Sequence, residues 1–405
     1  MRMKHTSEFN QTRPWSTIQA PVQGRGAVRF HRYRSAASAA MLSGIDRIII
    51  IQTLVLGSVM QAYANDALEA ILVASFLLLI GMVIVRLAFP GRKPEMRAFL
   101  LTFSVSVFVG GLAQVYSQAV FNQVQSTIDA PKFFGLISPQ PPFTTMDRVS
   151  YINAPLAVVI WQQVYKVTWW LGFKFGPYTG VMFNAFMMGL VGSLTVQIAR
   201  ELFDDDGWRL RRAGTLVAFC GLFLLFGSIL IRDSFTTFFS TLALWGIVRW
   251  LVRPTPRTLL FAAVLTGVSA WAMEYLREEA VFLFALYWFL ALLLWVVRRF
   301  DAISLFVAAF ILYGVLAASS YLAVYFQNVQ EIQISRLENY ADLAYRSSSD
   351  DSLGLRLVVD QPLPIRLVLG SGALMINPIP LWNNFQIGLR DYHWIKGYHG
   401  IYQVV

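Results

Sequence analysis

Ala154-Pro155-Leu156-Ala157-Val158-Val159-Ile160-Trp161-Gln162-Gln163-Val164-Tyr165-Lys166-Val167-Thr168-Trp169-Trp170-Leu171 is the stretch on which the topology turns. It is apolar enough to suggest a membrane span, yet Gln162, Gln163 and Lys166 interrupt it and three tryptophans load it. Tryptophan at that density marks a helix lying in the headgroup region. The arginines of neighbouring loops decide between the two readings. If 154–171 crosses the membrane, Arg200, Arg209, Arg211, Arg212, Arg249, Arg253 and Arg257 all fall outside. If it lies flat, they fall inside with Arg298 and Arg299, as the positive-inside rule requires. The flat reading wins.

Outward from this stretch, apolar runs of about 18 or more residues recur, long enough to cross a hydrocarbon core of roughly 30 Å. They lie near 47–63, 66–89, 98–121, 178–199, 213–231, 235–252, 258–273, 279–297 and 302–326. The expected fold is therefore all-α: a polytopic transmembrane helical bundle of about 9–11 spans, with a membrane-parallel helix in the first large outer loop. Composition agrees, since 14% of the residues are charged and 56% hydrophobic, against roughly 25% charged in water-soluble domains. The net charge of +10 sits largely in short loops beside apolar runs and in the N-terminal tail. Topology accounts for it without a nucleic-acid partner. The single cysteine, Cys220, excludes an intrachain disulfide.

Five segments follow. Residues 1–46 form a basic cytoplasmic tail, expected to be disordered. Residues 47–97 hold two N-terminal spans, and 98–326 hold the transmembrane core. Residues 327–362, rich in Ser, Asp and Arg, form a polar outer-face region. In 363–405, the apolar run 367–381 is broken by Gly370, Gly372, Pro378 and Pro380, so it is either re-entrant or spanning.

With the tail inside, the candidate chemistry gathers at the non-cytoplasmic ends of the spans. Arg232-Asp233 joins two apolar runs with few other polar residues nearby. It either anchors the interface or supplies a fixed positive charge for a phosphate, with Asp233 orienting Arg232. Glu274-Tyr275-Leu276-Arg277-Glu278-Glu279 joins the next two runs and is charged at four of its six positions. It is either a solvated, self-neutralising turn or a headgroup site in which Glu274 and Arg277, three apart, pair. Asp129 lies shortly after the third span, where a carboxylate caps a helix or acts as a general base toward a hydroxyl. Asp147 and Arg148 are weaker candidates for the same roles. His5, His31, His393 and His399 have no metal-ligand spacing, and no phosphate loop, dinucleotide fingerprint or nucleophile elbow occurs. Asp204-Asp205-Asp206 suggests a metal or nucleotide site, but among arginines it reads better as a solvated, charge-balanced loop.

The order of these elements resembles the GT-C class of integral-membrane glycosyltransferases. That class uses polyprenyl-phosphate-linked sugars and includes protein mannosyltransferases, aminoarabinose transferases and bacterial exopolysaccharide enzymes. The resemblance is carried by Asp129-Ala130-Pro131-Lys132-Phe133-Phe134, the flat helix 154–171, Phe183-Asn184-Ala185-Phe186 and Ala199-Arg200-Glu201-Leu202-Phe203. Leu230-Ile231-Arg232-Asp233-Ser234 and Glu274-Tyr275-Leu276-Arg277 continue it, with a looser echo at Asn377-Pro378-Ile379-Pro380-Leu381-Trp382. It covers residues 98–300. Two spans precede the first of the family pattern, Asp129 stands alone where mannosyltransferases carry paired acids, and a large C-terminal periplasmic domain is missing. The resemblance implies a multi-pass protein of the bacterial inner membrane. It would move a hexosyl or pentosyl group, with inversion, from a polyprenyl-phosphate donor to a glycan, lipid or protein acceptor. Asp129 is then the catalytic base, Arg232 and Arg277 stabilise the departing donor phosphate, and Asp233 and Glu274 complete the substrate-binding set by holding those arginines in place. No metal ligand set is implied, and a divalent cation is left open. Partners would be the lipid-linked sugar, membrane lipids and polysaccharide-assembly proteins. The alternative is a non-catalytic membrane protein of the same pathway, such as a flippase, a polymerase partner or a transporter. A transporter would set its ionisable groups near the midplane of broken helices.

Overall fold

The structure, a computed structural model, describes residues 42–124, 130–149, 154–203, 206–277 and 281–297. These residues are helical with no strand among them. The helices are α1 (Gly44–Asn65), α2 (Glu69–Ala88), α3 (Lys93–Phe121), α4 (Ala130–Gly135), α5 (Pro155–Trp170), α6 (Pro177–Phe203), α7 (Gly207–Phe219), α8 (Gly221–Ser228), α9 (Asp233–Val252), α10 (Pro256–Glu274) and α11 (Val281–Val297). The tail 1–41, Asp129, Asp204 and Asp205, and everything beyond 297 lie outside the described residues. The expected span 302–326, the polar region 327–362 and the segment 363–405 are among them.

Among the described residues six helices, α1, α2, α3, α6, α9 and α10, are long and apolar enough to cross a membrane, or seven spans if the bent pair α7–α8 counts as one. The chain is a multi-pass membrane protein. Its surface agrees: Leu68, Leu72, Phe76, Leu79, Val83 and Leu87 of α2 and its approach are exposed, an apolar face that hydrocarbon rather than water would cover. The expected span 213–231 falls on α7 and α8, which are long and apolar enough to cross only when taken together and are bent by 54° where Cys220 takes an extended conformation. Nothing in the apolar composition marks that break. Of the expected span 279–297, the described residues form the 17-residue α11 (Val281–Val297), which as described is shorter than the spanning helices.

α3 and α6 form the centre. In their apolar windows 83% and 78% of residues are buried, against 33% in α1 and α2. Close approach depends on small residues, as is usual where lipid offers no hydrophobic drive between helices. A Cβ on Gly57 of α1 would lie 2.5 Å from the Phe108 Cα of α3. One on Gly189 of α6 would lie 2.8 Å from the Phe99 ring. α9, α10 and α11 join around Ile247, Trp250, Ala262 and Ala291, and the Trp288 indole donates to Thr266 Oγ1 across 3.2 Å.

Alternation of the long helices gives the bundle two ends. At one, Asp46 of α1, Glu95 and Arg97 of α3, Arg200 and Glu201 of α6 and Arg253 after α9 meet in ion pairs. At the other lie the starts of α2, α6 and α9 and the ends of α1, α3 and α10, including Asp233 and Arg277. We call these the Glu95 end and the Arg277 end. α5 is a 16-residue helix, about 24 Å long, and is not among the spanning candidates. It meets three long helices at their Arg277-end tips: Trp161 contacts Asn184 of α6 and Phe235 of α9, and the Leu156 N–H donates to Tyr275 O after α10.

Candidate functional site

α8 ends at Ser228, and the chain runs extended through Ile229 before α9 begins at Asp233. Backbone carbonyls freed in such a break need donors. Asn184, fully buried in the second turn of α6, supplies them: its Nδ2 donates to Ile229 O at 2.7 Å and Ile231 O at 3.0 Å. Its Oδ1 accepts from the Trp161 indole at 2.9 Å. One amide therefore ties α5, α6 and the turn that presents Arg232 and Asp233. Leu230 is buried in the same turn over Gly180, where a Cβ would lie 2.3 Å from Leu230 Cδ1.

Asp233 opens α9, where a carboxylate favours the positive end of the helix dipole. Arg277 ends the turn after α10, its N–H donating to Met273 O at 2.7 Å. Its guanidinium reaches across to Asp233 Oδ1 at 3.2 Å, with the Arg277 and Asp233 side chains 48% and 27% exposed. The structure thus brings together two of the motifs picked out in the sequence, and Arg232 lies beside this pair. Asp233 bonds to Arg277, where the sequence suggested Arg232 as its partner. Glu274 is exposed at the end of α10, and Arg277 turns to Asp233 for its carboxylate.

α5 is the floor of this region. Trp161 and Tyr165 are buried on one face, while Val167, Trp170 and Leu171 are exposed. The polar residues that interrupt the run are accommodated. Gln162 pairs with the Ser138 backbone, its Oε1 accepting from Ser138 N at 2.8 Å and its Nε2 donating to Ser138 O. Lys166 lies 3.8 Å from the centre of the Phe143 ring. The Tyr165 hydroxyl donates to Gly176 O and accepts from Gly180 N–H, both at 3.0 Å, and burial pushes its phenol above the ordinary range. α4 rests on the same floor, with Phe133 5.6 Å from Trp161 between ring centres. Asp129 lies outside the described residues, but Ala130, next in the chain, is buried. Asp147 and Arg148 are exposed in a 3-10 turn.

A cleft lined by Ala62, Tyr63, Asp66, Ala67 and Glu69 opens at the α1–α2 turn of the same end. Asp66 there accepts from Lys174 at 3.1 Å. Among the described residues no group of three His, Cys, Asp or Glu is placed to hold a metal. Asp206 caps α7 and pairs with Arg209 at 3.2 Å.

Sequence reasoning missed two things. Asn184 stands in the sequence within Phe183-Asn184-Ala185-Phe186, with nothing there to show that it tethers the Arg232-Asp233 turn. The ion pairs of the Glu95 end were hidden in loops that positive-inside topology already explained. No protein-family model, no curated protein and no solved structure matches this chain.

Proposed function

We propose that the chain is a membrane glycosyltransferase of the GT-C type, moving a sugar from a polyprenyl-phosphate donor to a glycan, lipid or protein hydroxyl. The observation that carries this reading is the Arg277–Asp233 contact. It joins two arginine-carboxylate turns, separate in sequence, at the end of the bundle where α4 and α5 also sit. In this reading that end faces outward from a bacterial inner membrane, the N-terminus is cytoplasmic, and α5 lies along the membrane surface. Support for the flat α5 comes from its contacts with helix tips and from its exposed Trp169, Trp170 and Leu171.

In the reaction, Asp129 takes the proton of the acceptor hydroxyl as that oxygen attacks the anomeric carbon from the face opposite the leaving group. The bond from that carbon to the phosphate oxygen breaks, and the anomeric configuration inverts. Arg232 and Arg277 stabilise the charge growing on the departing polyprenyl phosphate. Asp233 holds Arg277 in place until donor binds, and Glu274, three residues before Arg277 in the chain, adds a second carboxylate to that turn. Asn184 is a positioning residue that fixes the Arg232-Asp233 turn against α5. Exposed leucines on the spanning helices accommodate the isoprenoid.

The test is transfer from a radiolabelled polyprenyl-phosphate sugar by the purified full chain. Asp129→Asn should abolish transfer while monodispersity and helix content stay unchanged, and Arg277→Gln should weaken donor binding. Full activity in Asp129→Asn rejects the assignment of the base. Absence of donor binding by the native chain rejects the enzyme in favour of a non-catalytic pathway protein.

A further inference from the structure

The Glu95 end carries a second assembly of arginines, built on aromatic rings and open toward lipid. Phe89 after α2, Trp245 of α9 and Phe261 of α10 form a row, with ring centres 5.6 Å apart for Phe89–Trp245 and 5.2 Å for Trp245–Phe261. The Arg249 guanidinium lies over two of these rings, 5.1 Å from Phe261 and 5.9 Å from Trp245. A guanidinium laid on aromatic rings keeps a fixed plane and offers its edge to a phosphate. Arg253, one turn on, has a side chain 66% exposed. Arg92 arrives from the start of α3 and donates to Gln197, which donates to Glu201, which in turn pairs with Arg253 at 3.3 Å. Glu201 is the carboxylate of this cluster among the described residues, so the surface is strongly positive.

Two further features say what covers it. The Trp245 indole N–H is buried and has no hydrogen-bond acceptor among the described residues, a condition that costs free energy unless a ligand supplies one. It lies four residues, about 6 Å along the axis, deeper in α9 than Arg249. Leu87 and Val252 beside the aromatic row are exposed and apolar. A free phosphate would leave both features unanswered. A lipid answers them together, with the phosphate at the arginines, an ester carbonyl at the indole and chains along the helices.

We propose that the α2–α3 and α9–α10 turns form a binding site for an anionic phospholipid. Its phosphate is held by Arg92, Arg249 and Arg253, and its ester carbonyl by Trp245. The site is at the opposite end from Arg277 and does not depend on the glycosyltransferase reading. The test measures dissociation constants of the detergent-purified full chain for phosphatidylglycerol and phosphatidylcholine by native mass spectrometry. Phosphatidylglycerol should bind at least about fivefold more tightly, the factor expected for one extra basic contact at an anionic surface. Arg249→Gln should remove that preference. Trp245→Phe, which keeps the ring and loses the N–H, should weaken both lipids by a similar factor of about five. Arg257→Gln, at an exposed arginine in the first turn of α10 with no part in the contacts above, should change neither.

Equal affinity for the two lipids in the native chain overturns the proposal. So does an Arg257→Gln effect as large as that of Arg249→Gln, or full displacement of phosphatidylglycerol by millimolar inorganic phosphate, which marks a free-anion site. Thermal unfolding of each variant without lipid separates a folding defect from a binding defect. If Arg249→Gln is misfolded, Trp245→Phe decides: unchanged affinity for both lipids rejects the site.

Discussion

The Glu95–Arg200 and Asp46–Arg97 pairs at one end of the bundle and the Asp233–Arg277 pair at the other use charge in opposite ways. At the Glu95 end, Glu95 is fully buried and accepts from Arg200 at two positions, 2.6 and 2.8 Å. Arg97 reaches Asp46 at 2.6 and 2.9 Å and also donates to Arg211 O and Thr215 Oγ1. These pairs tie α1, α3, α6 and α7 together at their tips, with little access to water. At the Arg277 end, the pair Arg277–Asp233 is single, longer and half open. Lys174–Asp66 is more exposed still. A bidentate, desolvated pair belongs to the frame, since breaking one partner strands the other charge. A partly open, monodentate pair adds little to the frame and leaves its donors available to an incoming anion. The difference teaches where to look for chemistry.

The comparison breaks first at Glu95. Glu95→Ala leaves Arg200 buried without its carboxylate and should cost about 3–5 kcal/mol, read as a fall in unfolding temperature in detergent. Replacing both residues by leucine should recover most of that loss. A single variant as stable as the native chain would show that the Glu95 end is not a frame.

Next comes Asn184. Asn184→Ala takes one donor each from Ile229 O and Ile231 O, which keep the Ile231 N–H and the Ser234 hydroxyl, and leaves the buried Trp161 indole N–H without its acceptor. With about 1–3 kcal/mol for the one buried group left unsatisfied, the loss should be roughly 1–3 kcal/mol. It should also weaken polyprenyl-phosphate binding, because the Arg232-Asp233 turn loses its tether. Asn184 also shows what the sequence made legible. The spans were plain because hydrocarbon thickness sets a length that composition reveals. Arg232-Asp233 and Glu274-Arg277 stood out because charge is rare among apolar runs. Their partnership was not legible, since Asp233 and Arg277 are separated by 44 positions and a one-dimensional pattern favours the local Glu274–Arg277 pair. Asn184 resembled any amide in a membrane helix, and only the break at Ile229–Ile231 gives it a purpose. Glu95 and Arg200 lie at span ends, and position relative to a span does not reveal which side chains turn inward.

Tyr165 ranks below these. Tyr165→Phe removes one hydroxyl that joins α5 to the start of α6, and should cost about 1–2 kcal/mol. Because burial raises the phenol above its ordinary range, ionisation is disfavoured in the folded chain. The unfolded phenol ionises near pH ~10. Stability from the neutral phenol is therefore complete below that value and falls as pH rises beyond it. The variant should lack this part of the alkaline loss, measured as the difference between the two unfolding curves.

The smallest effect on stability falls on the pair assigned to the proposed donor site. A double-mutant cycle on Asp233→Asn and Arg277→Gln should return a coupling of only about 0.2–1 kcal/mol, the range for pairs this open to solvent. If the pair existed to hold α9 against α10, the coupling would approach the Glu95–Arg200 value and donor binding would be untouched. If Asp233 holds Arg277 ready for a phosphate, the two readouts separate. Unfolding barely moves, Arg277→Gln weakens binding of a polyprenyl phosphate, and Asp233→Asn frees the guanidinium without removing its charge. Tighter ground-state binding with slower transfer in Asp233→Asn would then identify the carboxylate as the group that the phosphate displaces and that resets the arginine after each turnover.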